Sequence, residues 1–91
     1  MVTLLVPAAL RGDSAGEGRL ALAATGTLRT VLDELADRWP RLSRRLRDER
    51  GELRRYVNVY VDGRDVRETG GLETPVREEA EVRVVPSVAG G

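Results

Sequence analysis

One helix-length apolar stripe sits inside a chain that otherwise reads as strands, and this limits the fold more than any other feature. Leu28, Val31, Leu32, Leu35 and Trp39 recur at the spacing of a single helix face. Asp33, Glu34, Asp37 and Arg38 lie off that stripe. Thr27 stands where its hydroxyl can accept from an orphan amide of the first turn. Pro40 stops the helix, because it biases Trp39 away from helical angles. Trp39 reads as a lid on the core. A helix with one apolar face needs a second layer to bury it.

The flanking segments supply strands. Val2, Leu4 and Val6 alternate with Thr3 and Leu5, and Pro7 ends the run. Residues 11–18 are loop chemistry, Arg-Gly-Asp-Ser-Ala-Gly-Glu-Gly. The Arg-Gly-Asp triplet is short enough to arise by chance in a Gly-rich turn, so an adhesion role is set aside. Residues 19–23 read as a second strand that makes a hairpin with the first. Residues 56–61, Tyr-Val-Asn-Val-Tyr-Val, are β-branched and aromatic. Asp62-Gly63 is a hairpin turn, followed by a short return strand over 64–67. Gly70-Gly71-Leu72 is a turn, and Thr74-Pro75-Val76 continues the loop. The last strand runs over 80–85, with Val82 and Val84 on one face, and Pro86 ends it.

The near-continuous apolar character of 2–6 and 82–85 suits central strands. The element order matches an α+β, β-grasp (ubiquitin-like) architecture. It predicts a mixed sheet of about four to five strands packed on one main helix, with the first and last strands parallel at the centre. The expected organisation is a β-grasp domain over 1–86 and a flexible C-terminal tail, 87–91, ending in Gly-Gly. Between helix and strand, residues 41–55 carry seven arginines and three acids. Leu42 and Leu46 can face inward on a short second helix, and Gly51 begins an exposed loop. A solvated basic face is preferred there to a docking patch for an acidic partner.

Composition narrows the function. At 91 residues there is little room for both a core and a deep cleft. There is no His, Cys, Phe or Lys. The usual general base, thiol nucleophile and soft metal ligands are therefore missing. No Asp-x-Asp-x-Asp-Gly loop offers a hard cation a site, so no metal is expected. Without Cys, stability rests on packing alone. Fifteen basic residues cancel fifteen acidic ones, which argues against nucleic acid. No apolar run approaches a membrane span, and residues 1–7 lack a signal peptide's basic flank, so no membrane role and a cytoplasmic location are expected. All basic residues are Arg, which fits a high-GC coding bias. The consequence is chemical: no side-chain amine exists to accept an acyl group.

The chemistry left is at the tail. Gly90-Gly91 carries no side chain and tolerates almost any backbone angle. It can thread a narrow tunnel and present a carboxylate to a nucleotide. Here it follows a final strand capped by Pro86.

These residues carry a family resemblance. Tyr-Val-Asn-Val-Tyr-Val-Asp-Gly at 56–63, Asp65-Val66-Arg67, Gly70-Gly71-Leu72 and Val-Pro-Ser-Val-Ala-Gly-Gly at 85–91 are similar to the ThiS/MoaD family of ubiquitin-like sulfur carriers. The resemblance spans essentially the whole chain. It is strongest to the carriers of thiocarboxylate-dependent cysteine biosynthesis. It implies that the chain is not an enzyme and holds no catalytic residue or cofactor of its own. An E1-like activating enzyme of the MoeB/ThiF type would use ATP and Mg2+ to adenylate Gly91. A rhodanese-like sulfur donor would convert the adenylate to a thiocarboxylate. A PLP-dependent sulfur-accepting synthase would then take the sulfur, and a metallopeptidase would release the product. Gly90, Ala89, Val88 and Ser87 would thread the partners' active sites. Tyr60 and Val85 are candidate docking anchors on the outer sheet face.

Other readings stay open from sequence. The same carrier chemistry can serve molybdopterin, thiamin or a sulfur-containing secondary metabolite. A ubiquitin-like modifier forming isopeptide bonds is a second class. A plain β-grasp binding module is a third.

Overall fold

A computed structural model describes residues 1–86. The apolar stripe forms helix α1, Leu28–Arg38, and buries Leu28, Val31, Leu32 and Leu35. Thr27 is its cap: the Thr30 amide donates to Thr27 Oγ1 at 3.3 Å. The helix ends at Trp39, whose amide donates to Leu35 O at 2.6 Å. Pro40 then occupies the first turn of α2, Pro40–Leu46, where a missing amide proton costs nothing. One proline thus stops one helix and starts the next. Leu42 and Leu46 are buried from α2, and Trp39 is half-buried against the core.

The sheet has five strands. These are β1 Val2–Leu5, β2 Arg19–Leu22, β4 Val57–Val61, β5 Arg64–Asp65 and β7 Glu81–Pro86, in spatial order β2-β1-β7-β4-β5. β1 and β7 pair in parallel at the centre, and the other pairs are antiparallel. The register places buried residues side by side: Leu4 opposite Leu20 and Val82, and Val84 opposite Val59. This face meets α1 and α2 to form the core.

The central strands are buried on one face only. Val82 and Val84 are buried, while Glu81, Arg83 and Val85 are exposed. Thr3 and Leu5 are half-buried on the same outer side. This is the one-sided burial that the alternation of Val2, Leu4 and Val6 with Thr3 and Leu5 predicts. Both helices lie over the inner face, so the outer face has no second layer among the described residues.

The departures lie in short segments. Residues 8–13 form a 3-10 helix, overlapping the stretch read as loop. Leu10 packs against the core, and Ser14, buried beyond it, donates its hydroxyl to Glu17 O at 2.7 Å. The return strand is only Arg64–Asp65, and Val66–Glu68 turns into a 3-10 helix that buries Val66. Thr74-Pro75-Val76 is not simply loop: β6, Pro75–Val76, pairs antiparallel with β3, Gly26–Thr27. That two-residue ladder anchors the start of α1, because the Leu28 amide also donates to Thr74 O at 2.9 Å. The Asp62-Gly63 turn is as expected, with φ of 50° and 86°, the left-handed pair a two-residue hairpin requires.

Glu34 ties α1 to the edge of the sheet. Its carboxylate accepts from the amides of Ala23 and Ala24 at 3.1 and 2.6 Å. Arg38 bridges Glu34 at 3.0 Å and Ala21 O, on edge strand β2, at 2.9 Å. Burial pushes the Glu34 carboxyl up, but the two amides and the Arg38 guanidinium outweigh it and hold it below the ordinary carboxylate range. A depressed folded-state value means this contribution is complete above the unfolded carboxyl's range and is lost as pH falls through the folded one. Glu34→Gln should therefore lower stability at neutral pH by about 1–2 kcal/mol, the scale of a hydrogen bond to a charged group. Urea melts at stepped pH should show that deficit shrinking in acid. Leu35→Ala, in the core, should cost about 2–5 kcal/mol at any pH.

Candidate functional site

β7 carries the chain to Pro86, which pairs with Val57 at the start of β4. Ser87, Val88, Ala89, Gly90 and Gly91, the predicted tail and reacting residue, lie outside the described residues. The structure gives the root of that tail and the surface around it. Because β1 and β7 are parallel, the tail leaves from the end of the sheet where β1 also ends. The 3-10 helix over 8–13 sits at that end. The segment 54–56, just before β4, sits there too.

Tyr60 and Val85 are both on the outer face, as the strand parity of Val59 and Val84 demands. Val85 is 39% exposed and Tyr60 is half-buried. With Gly63, Glu81 and Arg83 they line a shallow cleft of about 350 Å3. The register adds residues that were not singled out from sequence. Arg19 pairs with Leu5, Leu5 with Arg83, and Arg83 with Tyr60, giving one row across four strands. Asn58 pairs with Val85 one step nearer the tail. Arg67 donates to Asn58 Oδ1 and, at 3.3 Å, to Val57 O, closing the β4 side. Leu5, Arg19 and Arg83 were accessible to sequence reasoning only once the buried parity was fixed, since alternate residues must then face outward.

A second groove, about 520 Å3, lies on the other side of β7 at the tail root. Leu5, Pro7 and Val85 line it together with Arg11, Arg19 and Arg83. Gly18 makes room here: a Cβ at that position would lie 3.0 Å from the Arg11 guanidinium. Arg11 donates through Nε to Val6 O at 3.1 Å. Asp13 is ion-paired with Arg45 at 2.9 Å. The Arg-Gly-Asp triplet is thus folded into a 3-10 helix with its charged ends engaged.

The basic segment 41–55 divides. Arg47 is a strap, only 10% exposed, reaching Asp33 on α1 at 3.0 Å. Arg54 donates to Arg44 O at 2.8 Å. Arg41, Arg44 and Arg55 are exposed. The loop after α2 is organised by Asp48, which accepts from the amides of Glu52 and Arg50. The Glu52 amide first, and then that of Arg50, hold its carboxyl below the usual range.

Among the described residues no group of His, Cys, Asp or Glu is placed to hold a metal ion. None of the helices described is long and apolar enough to cross a membrane.

Comparison with known proteins agrees with this geometry. The ThiS family profile matches residues 5–91. The chain is 38% identical to the sulfur carrier protein CysO of Mycobacterium tuberculosis, over 99% of this chain and 98% of that protein. The crystal structure of M. tuberculosis CysO superposes with a TM-score of 0.88 at 34% identity, covering 97% of this chain and all of that one. A chain of the Amycolatopsis orientalis BexX/CysO complex gives 0.90 at 35% identity, with both chains fully covered. The small archaeal modifier protein 1 of Methanosarcina acetivorans gives 0.81 at 31% identity, covering 99% of this chain and 95% of that one. The sheet order, the single-sided core and the full-length match lead to one conclusion: the chain belongs to the ThiS family.

Proposed function

We propose that this chain is a sulfur carrier whose Gly91 carboxylate is adenylated by a partner enzyme and converted to a thiocarboxylate. The observation that carries this reading is the match to proteins named sulfur carriers over 99% of the chain, with Gly90 and Gly91 inside the residues that the family profile matches. The domain, 1–86, is the handle, and 87–91 is the working arm.

The chemistry follows from the tail's own groups. A carboxylate is a poor electrophile. Attack of Gly91 on the α-phosphate of ATP expels pyrophosphate and leaves an acyl adenylate, with AMP as the new leaving group. The terminal sulfur of a persulfide on a rhodanese-like donor then displaces AMP to give an acyl disulfide. A second thiol attacks the donor's sulfur, forming a disulfide with it and releasing the thiocarboxylate. The sulfur is held as an anion at the chain end, nucleophilic at neutral pH. Mg2+ and ATP belong to an E1-like enzyme of the MoeB/ThiF type. PLP belongs to the accepting synthase, where cysteine formation is the favoured outcome, with a metallopeptidase releasing the product. Ser87, Val88 and Ala89 extend the arm through backbone contacts, and Gly90 gives clearance. Tyr60 and Val85 anchor the partner's body on the outer face. The cytoplasm, where ATP is available, is the setting.

The likeness to a small archaeal modifier protein favours one second reading, in which Gly91 is joined to target amines. That reading predicts high-mass conjugates that disappear when Gly91 is deleted. The carrier reading predicts a free thiocarboxylate.

Incubation with ATP, Mg2+, a MoeB/ThiF-type enzyme and sulfide should raise the intact mass by the difference between one sulfur and one oxygen atom. No mass gain with an enzyme that charges another ThiS-family carrier would sink the proposal. Deletion of Gly91 should leave the melting curve unchanged and abolish the gain. Tyr60→Ala should keep the fold and weaken docking by about 1–2 kcal/mol, read as a raised KM for the carrier in the same assay.

A further inference from the structure

The groove at the tail root pairs an apolar floor with three guanidinium groups. Its floor is Leu5, Pro7 and Val85, and Arg11, Arg19 and Arg83 stand along it. No carboxylate lines it. Arg19 has no ion-pair partner among the described residues, and Arg83 has only Glu81 at 3.9 Å, a loose exposed contact. Arg11 spends one donor on Val6 O and keeps the rest of its fork. A chain of zero net charge has therefore gathered positive charge at this end. At the opposite end of β1 and β7 stand Asp62, Glu78, Glu79 and Glu81, mixed there with Arg77 and with the Met1 ammonium that pairs with Glu79. The charged side chains that line the groove at the tail root are thus all positive.

We infer that this groove is the docking site for the rim of the activating enzyme's tail channel, and that the rim presents an apolar side chain flanked by carboxylates. The inference rests on the carrier reading above and names the partner chemistry of its recognition surface. Two physical demands meet here. The tip of the tail is an anion, and it must approach a polyphosphate. A positive collar around the tail root offsets that repulsion while the five-residue arm, roughly 17 Å when extended, keeps the collar outside the nucleotide site. Arginine forks also pair carboxylates in two-point fashion, which fixes the angle at which the arm enters. An acidic partner rim supplies the complement. The apolar floor gives the contact its buried centre, and the guanidinium groups supply its charged border.

The test uses the intact chain and a MoeB/ThiF-type enzyme that charges the wild type, with pyrophosphate release as the readout. Arg19→Glu and Arg83→Glu, singly and together, should raise KM for the carrier by about five- to tenfold per site at low salt, with kcat little changed. The deficit should narrow as salt rises, since screening removes steering from both proteins. Arg77→Glu, at the far end, should behave as wild type. Arg19→Gln and Arg83→Gln should fall between, and melting curves should show all variants folded. An equal loss in Arg77→Glu, an unchanged KM in the double variant, or a fall in kcat alone would overturn the inference. So would a wild-type dimer that the double variant dissolves, since the groove would then belong to the acidic end of a second copy. Failure of the wild type to charge at all would overturn the carrier reading itself, a result distinct from normal charging with no dependence on these arginines.

Discussion

The parallel pairing of β1 with β7 holds the rest of the structure in place. It sets Leu4 beside Val82 and joins the first and last strands at the centre of the sheet. Parallel neighbours need a crossover, and the crossover is where α1 and α2 lie. Both helices fall on one face, so every strand has an inner and an outer side. Val2, Leu4, Val82 and Val84 seal the inner side against Leu28, Val31, Leu32 and Leu35. The parallel sense also fixes the polarity of the molecule. It puts the tail at the same end as the 3-10 helix over 8–13, away from the acidic turns around Asp62 and Glu79.

How much of this was legible in the sequence depended on the length of each signal. α1 was legible because its stripe repeats over three turns and its ends carry Thr27 and Pro40, each acting through a local mechanism. The five main strands followed from alternation and from the Asp62-Gly63 turn. The β3–β6 ladder was not legible: two residues on each strand show no period, and the pairing is made by residues about fifty apart in sequence. The 3-10 helix over 8–13 was hidden for a related reason. Its order comes from Leu10 reaching the core and from the Arg11 and Ser14 bonds to nearby carbonyls, none of which has a sequence spacing of its own.

The outer face was legible only in part. The alternation over 2–6 and the placing of Val82 with Val84 pointed to one buried face, yet Leu5 and Val85 are apolar and face outward. The sequence records that both residues are apolar; it does not say whether the layer covering them belongs to the same chain. Tyr60 and Val85 were placed on the outer face by parity alone. Arg19 and Arg83 became visible as their neighbours only through the cross-strand register.

The absence of Lys looks different once the surface is mapped. A lysine-free chain has no side-chain amine to attack its own activated end, whatever mutational bias removed the lysines. Arginine keeps the positive charge but stays protonated at any physiological pH, so it offers no competing nucleophile. Charge near the tail root is therefore chemically safe here in a way that lysine would not be. On the proposed reading, in which the Gly91 carboxylate becomes an acyl adenylate, the carrier gains from that distinction. It can gather guanidinium groups around the root of its arm, for recognition, without placing an amine within reach of its own reactive carbonyl.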